Sequence, residues 1–306
     1  MESLPLMTGS GNRLVADDAR RLAALPSAID CHRTENGVSL WGQMTQGWSD
    51  QDADQGATGY HAKHGALALG SDVCLRDSST RLGAMLGYVN SRDASRDSKL
   101  DHRLDSDMIQ VGLYGEHDLN DAVYVDFDMG YANAHLNGKR YLHYFGKRAD
   151  SDYHSDVFYA GVGLNTRLGM FSPFMRFDVM HVKSQAYEET GADALNFNVE
   201  RQSTNSAQLS LGVAINHTWD RASLHAKVGG SAELADATET IRAAFQAAPQ
   251  RTFDTSSAEK RRLQGFGELQ FTYQTTPSSD LSLTYRVQGN GEYVDQSGTA
   301  NFTWHF

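Results

Sequence analysis

The sequence predicts an all-β fold: an antiparallel transmembrane β-barrel of about twelve strands, with an N-terminal helix in its lumen. Three observations point there. From Val38 onward, apolar and polar residues alternate with a period of two almost everywhere. The connections between these stretches alternate between short and long. The last stretch, Gly298–Phe306, puts Ala300, Phe302, Trp304 and Phe306 on one face of a strand and Asn301, Thr303 and His305 on the other. A soluble sheet rarely ends on an uncovered aromatic ladder, because such an edge invites aggregation. In a membrane barrel the apolar face meets lipid, the polar face meets the lumen, and the final strand pairs with the first.

Composition agrees. The 306 residues are 40% hydrophobic and 10% aromatic, with a mean hydropathy of -0.50, which by itself would suit a soluble protein. No window approaches the ~18–20 apolar residues of a spanning helix. Spanning strands escape that scan because every second residue is polar. Five prolines and 28 glycines suit long strands joined by turns. The net charge of -11 argues against nucleic-acid partners, which require a basic footprint. Met1-Glu2-Ser3-Leu4-Pro5 lacks the basic and apolar regions of a signal peptide. An exported protein with this start has been processed, or is the tail of a longer chain.

In chain order, residues 1–14 are polar and read as a loose arm. Val15–Leu25 turns to helical period, with Val15, Ala19, Leu22 and Leu25 on one side and Ala16, Ala23 and Ala24 keeping it slim. Asp17 and Asp18 suit its first turn, and Pro26 ends or kinks it. A short polar segment, Asp30–Gly37, follows. Then come the strands. Val38, Leu40, Gly42, Met44 and Trp48 oppose Ser39, Gln43 and Thr45. Val123, Val125, Phe127, Met129 and Tyr131 oppose Tyr124, Asp126, Asp128 and Gly130. Leu209, Leu211, Val213, Ile215 and Trp219 oppose Gln208, Ser210, Asn216 and Thr218. Leu281, Leu283, Tyr285 and Val287 oppose Ser282, Thr284, Arg286 and Gln288. Similar patterns cover residues 58–73, 80–91, 104–119, 154–168, 171–184, 223–235, 261–275 and 296–306. Most exceed the ~9–11 residues that a tilted strand needs to cross a bilayer. The chain divides into arm, helix and linker over residues 1–37 and a barrel over 38–306.

Short connections are expected at Leu75–Ser79, Asn120–Asp121, Gly169–Met170, Asp220–Ala222 and Pro277–Asp280. Long polar ones are expected at Ser49–Gln55, Asp93–Arg103, Asn137–Asp150, Glu188–Asn205 and Thr238–Lys260. Short periplasmic turns and long outer loops are the mark of a barrel in the outer membrane of a Gram-negative bacterium. A soluble sandwich also alternates, but its strands run nearer ~5–6 residues and its loops do not split into two sizes.

Helix, about twelve strands and a terminal aromatic together resemble the translocator domain of monomeric (type Va) autotransporters. Leu40-Trp41-Gly42-Gln43 is similar to that family's first strand, Gly65-Ala66-Leu67-Ala68-Leu69-Gly70-Ser71-Asp72 to its second strand and turn, and Arg81-Leu82-Gly83-Ala84-Met85-Leu86-Gly87-Tyr88 to its third. The resemblance runs from about Val15 to Phe306 and rests on the order of these words. It implies an outer-membrane anchor that lets an N-terminal passenger reach the cell surface. The implied partners are the passenger, outer-membrane lipid including lipopolysaccharide, and the β-barrel assembly machinery, which would read Phe302, Trp304 and Phe306. Here Asn301 stands where the family's assembly signal has glycine. A monomer with no cofactor is expected.

Size matching supports this. Eight strands leave an interior that side chains nearly fill, and sixteen to eighteen leave an open channel. Twelve suit one helix of ~10–12 Å diameter. Val15–Leu25, directly upstream of the first strand, is placed to plug the lumen. The expected lumen face carries Glu116, Asp126, Asp128, Asp178 and Glu268 against Arg167, Arg176, Lys227 and Arg286, so that Arg20 and Arg21 of the helix meet an acidic wall. A porin is the second reading, but has no reason to place a helix before its first strand. A barrel protease or phospholipase is the third, drawing on Glu188, Glu189 and Asp193 or on His61 and His64. No G-x-S-x-G elbow or zinc-ligand spacing supports it, and twelve histidines guarantee chance pairings. No catalytic or metal site is expected. Some autotransporters cut themselves inside the barrel at a linker asparagine; Asn12 is the one asparagine upstream of the helix, and an ordinary loop role suits it better. Finally, Cys31 and Cys74, the only two cysteines, are both placed near the periplasmic rim and are expected to form a disulfide.

Overall fold

The computed structural model describes residues 8–23, 37–53, 59–75, 79–95, 101–235, 240–256 and 262–306. One helix, α1 (Thr8–Ala23), precedes sixteen strands: β1 (Val38–Gln51), β2 (Tyr60–Cys74), β3 (Thr80–Ser95), β4 (His102–Asn120), β5 (Val123–Leu142), β6 (Lys147–Thr166), β7 (Phe171–Ser184), β8 (Tyr187–Glu188), β9 (Phe197–Val199), β10 (Gln202–Thr218), β11 (Ala222–Glu233), β12 (Thr240–Phe245), β13 (Thr252–Ser256), β14 (Leu263–Thr276), β15 (Ser279–Gly289) and β16 (Tyr293–His305). Twelve of them close a barrel in the order β1-β16-β15-β14-β11-β10-β7-β6-β5-β4-β3-β2. The other four make a separate sheet, β13-β12-β9-β8. No helix among the described residues is long and apolar enough to span a membrane.

Alternation sets the two faces. Along β5 the even positions Asp128, Ala132, Ala134, Leu136 and Arg140 are buried inside, while Met129 and Tyr131 point outward and are exposed. The outward apolar band includes Leu67, Leu86, Ile109, Phe158, Leu211, Leu283 and Phe302, each about half exposed. Exposed apolar surface of that extent belongs against lipid rather than water. The band ends well before the strands do. Above Tyr131, β5 turns Asn133, His135, Asn137 and Lys139 outward, so its upper half stands clear of the hydrocarbon.

Three expectations change. The stretch Asn137–Asp150, read as a loop, is mostly paired strand: β5 and β6 run twenty residues each and turn through a 3-10 segment, His143–Phe145, closed by Gly146 at φ 59. The long connections Glu188–Asn205 and Thr238–Lys260 supply the four-stranded outer sheet. Phe197, Phe245 and Phe253 pack there with ring centroids 4.8–5.8 Å apart. The helix begins at Thr8, well ahead of the predicted start at Val15. Inside a barrel, backbone amides have little water to bond, and coiling satisfies them locally.

At the seam, β1 meets β16 in unbroken antiparallel register from Ser39↔His305 through Gln43↔Asn301 to Gln51↔Tyr293. Phe302, Trp304 and Phe306 face outward, and Asn301, Thr303 and His305 are buried inside. Asn301 Oδ1 accepts a hydrogen bond from Thr303 Oγ1 at 2.9 Å, while its buried Nδ2 finds no partner among the described residues.

Candidate functional site

The lumen is the candidate site, and α1 occupies its outer half. Leu14, Val15, Ala16 and Ala19 are buried against a wall that is apolar on the inside: Leu104 and Met108 of β4, Ala132 and Leu136 of β5, Val157 of β6 and Val182 of β7. Burying Leu14 and Val15 contributes ~1.5–3 kcal/mol each. Gly11 lies against Tyr153, Leu136 and Leu104. The polar side of α1 is bonded as well. Asn12 Nδ2 donates to Thr204 Oγ1 at 2.9 Å, and its carbonyl accepts from Ser184. Asp18 accepts from Ser91 at 2.6 Å, and Gln110 Nε2 reaches the Ala19 carbonyl at 3.4 Å.

These contacts fix the direction of α1. Thr204 and Ser184 lie at the loop-rich ends of β10 and β7, whereas Gln110 is midway down β4. The helix therefore enters at the mouth that carries the outer sheet and runs inward. The chain resumes at Gly37 on the opposite rim, beside Cys74.

The sequence places Arg20 and Arg21 against an acidic wall of Glu116, Asp126, Asp128, Asp178 and Glu268. In the structure the direct contacts of Arg20 are with other residues: it donates to Ser206 and lies 3.9 Å from Glu233 and 3.5 Å from Asp17. Glu233 is not among the expected residues. It ends a strand, where alternation is weakest as a guide. The side chain of Arg21 lies outside the described residues, as do residues 24–36, including Pro26 and Cys31.

Below the described end of α1, the charged lumen residues fall into rows set by register. Asp126 on β5, Gly163 on β6 and Arg176 on β7 share one row; Asp128, Gly161 and Asp178 share the next. Arg176 bonds Asp126 and Asp128 and holds Asp178 at 2.8 Å. It can cross β6 only because Gly161 and Gly163 carry no side chain: a Cβ at either would collide with Arg176, Asp178 or Asp126. Across the lumen, Lys227, Glu268 and Arg286 form a third row, with Lys227 Nζ 3.9 Å from Glu268 and Arg286 donating to Gln288 at 3.2 Å. Nearer the rim that carries Gly37 and Cys74, Glu116 lies between Arg167, at 3.3 Å, and Arg81, at 3.9 Å. The acids and bases of the lumen thus face inward as neighbouring pairs and clusters.

The residues considered for catalysis are dispersed. His64 is buried on the inner face of β2, and His61, on the outer face, is 2.9 Å from Asp50. Glu189 is buried and pairs with Arg140, whose Nε is 3.0 Å away and whose guanidinium stacks on Phe197. Glu188 is exposed on β8, and Asp193 pairs with Lys147. Beside this cluster, Tyr187 stacks on Tyr153 at 4.5 Å, and burial pushes its phenol well above the usual range. Asn12 sits within the helix, bonded to two hydroxyls. Its helical backbone and fixed amide hold the side chain away from attack on its own carbonyl. Cys74, at the end of β2, is disulfide-bonded.

No curated protein sequence matches the chain. Its fold is similar to the translocator domain of the autotransporter NalP from Neisseria meningitidis, at 16% identity and a TM-score of 0.76 over 98% of this chain and 95% of that one. It is also similar to the transport unit of the autotransporter AIDA-I from Escherichia coli, at 15% identity and a TM-score of 0.63 over 97% and 98%. The β domain of the Bordetella autotransporter BrkA matches at 12% identity and a TM-score of 0.60 over 88% and 100%. The family model described as the autotransporter β-domain matches residues 40–286. A closed twelve-stranded barrel holding an inward-running helix, matched by that model over most of its length, belongs to the autotransporter β-domain family and is a translocator barrel of type V secretion.

Proposed function

We propose that the barrel carries an N-terminal passenger outward through its lumen and that α1 then stays behind as the plug. The direction of α1 is the observation that supports this most. The N-terminal end of α1 lies at the mouth bearing the outer sheet, the side on which a passenger joined to it would stand. The passenger would stand at the cell surface and the rim with Val38 and Phe306 would face the periplasm. The apolar inner wall of β4–β7 and the Arg20–Glu233 contact favour a seated helix over a transient one. The charged rows beneath would let a polar, extended chain slide past without adhering to any one patch. Phe302, Trp304 and Phe306 are the residues we assign to recognition by the assembly machinery, and lipopolysaccharide and lipid to the outward band. The barrel works as a monomer in this reading.

Planar-bilayer conductance tests the plug. Deleting Met1–Leu25 should leave a folded barrel with a larger and steadier conductance. An unchanged conductance would show that α1 does not obstruct the lumen.

A further inference from the structure

The outer wall of β5 and β6 carries two histidines that the lumen does not use. His135 and His154 are directly opposite each other in register, both on the outward face, with rings stacked at 4.7 Å and 17°. Asp152 precedes His154 by two residues and shares that face. Its carboxylate oxygens lie 3.0 and 3.1 Å from His135 Nε2. One ligand atom from each of the three lies within 4.8 Å of the others. They sit above Tyr131 and Phe158, at the level where the outward face turns from apolar to polar.

We propose that His135, His154 and Asp152 bind a divalent transition-metal cation of the zinc, nickel or copper class. Two imidazoles and a carboxylate suit those metals, whereas magnesium and calcium prefer oxygen alone. Tetrahedral bonds of ~2.0–2.2 Å place ligand atoms about 3.3–3.6 Å apart, a separation His135 and Asp152 already approach, so small χ rotations that bring in His154 suffice. The surroundings favour a cation. Asp107 lies across from His135 on β4 and accepts from Tyr88 and Asn90. Asp156 accepts from Tyr131 and Asn133. Those donors are neutral and leave the carboxylate charges in place, although Lys183 lies opposite Asp156. Three protein ligands leave a coordination position open, facing the headgroup layer, for water or a phosphate oxygen. Sequence spacing does not reveal the site, because its ligands come from two strands and meet only through register.

Isothermal titration of zinc chloride into the full chain, refolded in detergent without a histidine tag, tests this. One equivalent should bind, cobalt substitution should give a visible d–d band, and magnesium should not compete. His135→Asn and Asp152→Asn should each weaken binding at least ~10-fold. His181→Gln, another outward histidine, should leave it unchanged. Circular dichroism confirms that each variant retains its strands, and Asp152→Asn stands in should a histidine variant misfold. Absence of zinc binding in the parent, or equal affinity in the His135→Asn/His154→Asn double variant, overturns the proposal.

Discussion

Arg140 and Glu189 join the top of β5 to the outer sheet through side chains only 7% and 2% exposed. Removing one partner strands a buried charge, which costs ~3–5 kcal/mol. Arg140→Ala should therefore loosen the outer sheet while the barrel persists. Limited proteolysis should show new cleavage between residues 185 and 201 and leave the twelve barrel strands intact; an unchanged digestion pattern would refute the linkage. Replacing both partners by Met and Leu should restore most of the protection. From sequence, Glu189 is a conceivable catalytic acid, because its type and loop position are visible and its partner is not. Arg140 follows Lys139 in a stretch read as loop, so nothing marks it as inward. The same blindness applies to Arg20: its charge is legible, but Glu233 and Ser206 are its neighbours only after β10 and β11 have paired.

At the scale of a strand, the outward face and the lumen face of β10 should answer differently to one charge. Leu211→Arg, on the lipid side, should cost ~2–4 kcal/mol near the midplane. Ser210→Arg, pointing inward, should cost much less. Urea unfolding in lipid vesicles measures both, and equal penalties would refute the assigned orientation. Asp128 is unsuitable for the same comparison, because arginine there would remove one of the three carboxylates that hold Arg176, whereas Ser210, beside Arg176 in register, leaves all three in place. The strands themselves are legible wherever one face meets lipid, since there the contrast between faces is greatest. Above the band that contrast disappears. Asn133, His135 and Asn137 face water outside while Ala134 and Leu136 face α1 inside, so the apolar signal changes sides along one strand. This is why the upper halves of β5 and β6 read as loop. The outer sheet is hidden for another reason: β8 and β9 have two and three residues, too few for any period to show.

For the molecule as a whole, the rims and the lumen are joined by the covalent chain. Cys74 is disulfide-bonded and hydrogen-bonded through its amide to the Gly37 carbonyl at 2.6 Å. We assign Cys31, which lies outside the described residues, as its partner. A loop of ~40 residues closed in this way should gain around 3–4 kcal/mol in the chain-entropy view. Mass spectrometry of unreduced, alkylated protein should show a linked peptide pair; two alkylated cysteines would refute it. The barrel, its strand number and the presence of a lumen helix are all readable from periodicity and loop lengths. The pairing of lumen charges is not, because alternation gives the side of the wall and only register gives the neighbour.

The β1–β16 seam has a consequence for the order of events. Ser39 and His305, hydrogen-bonded to each other at 3.1 Å, are 266 residues apart, so bringing them together costs roughly 5 kcal/mol in chain entropy before any reward. The ring therefore shuts late, after the hairpins between have formed. Once shut, it encircles its own upstream chain like a bead on a string. A folded mass outside that is wider than the bore cannot slip back, and the polypeptide is then held mechanically as well as by its bonds to the wall. Retention at the surface would be a property of topology, which no single substitution along α1 could undo.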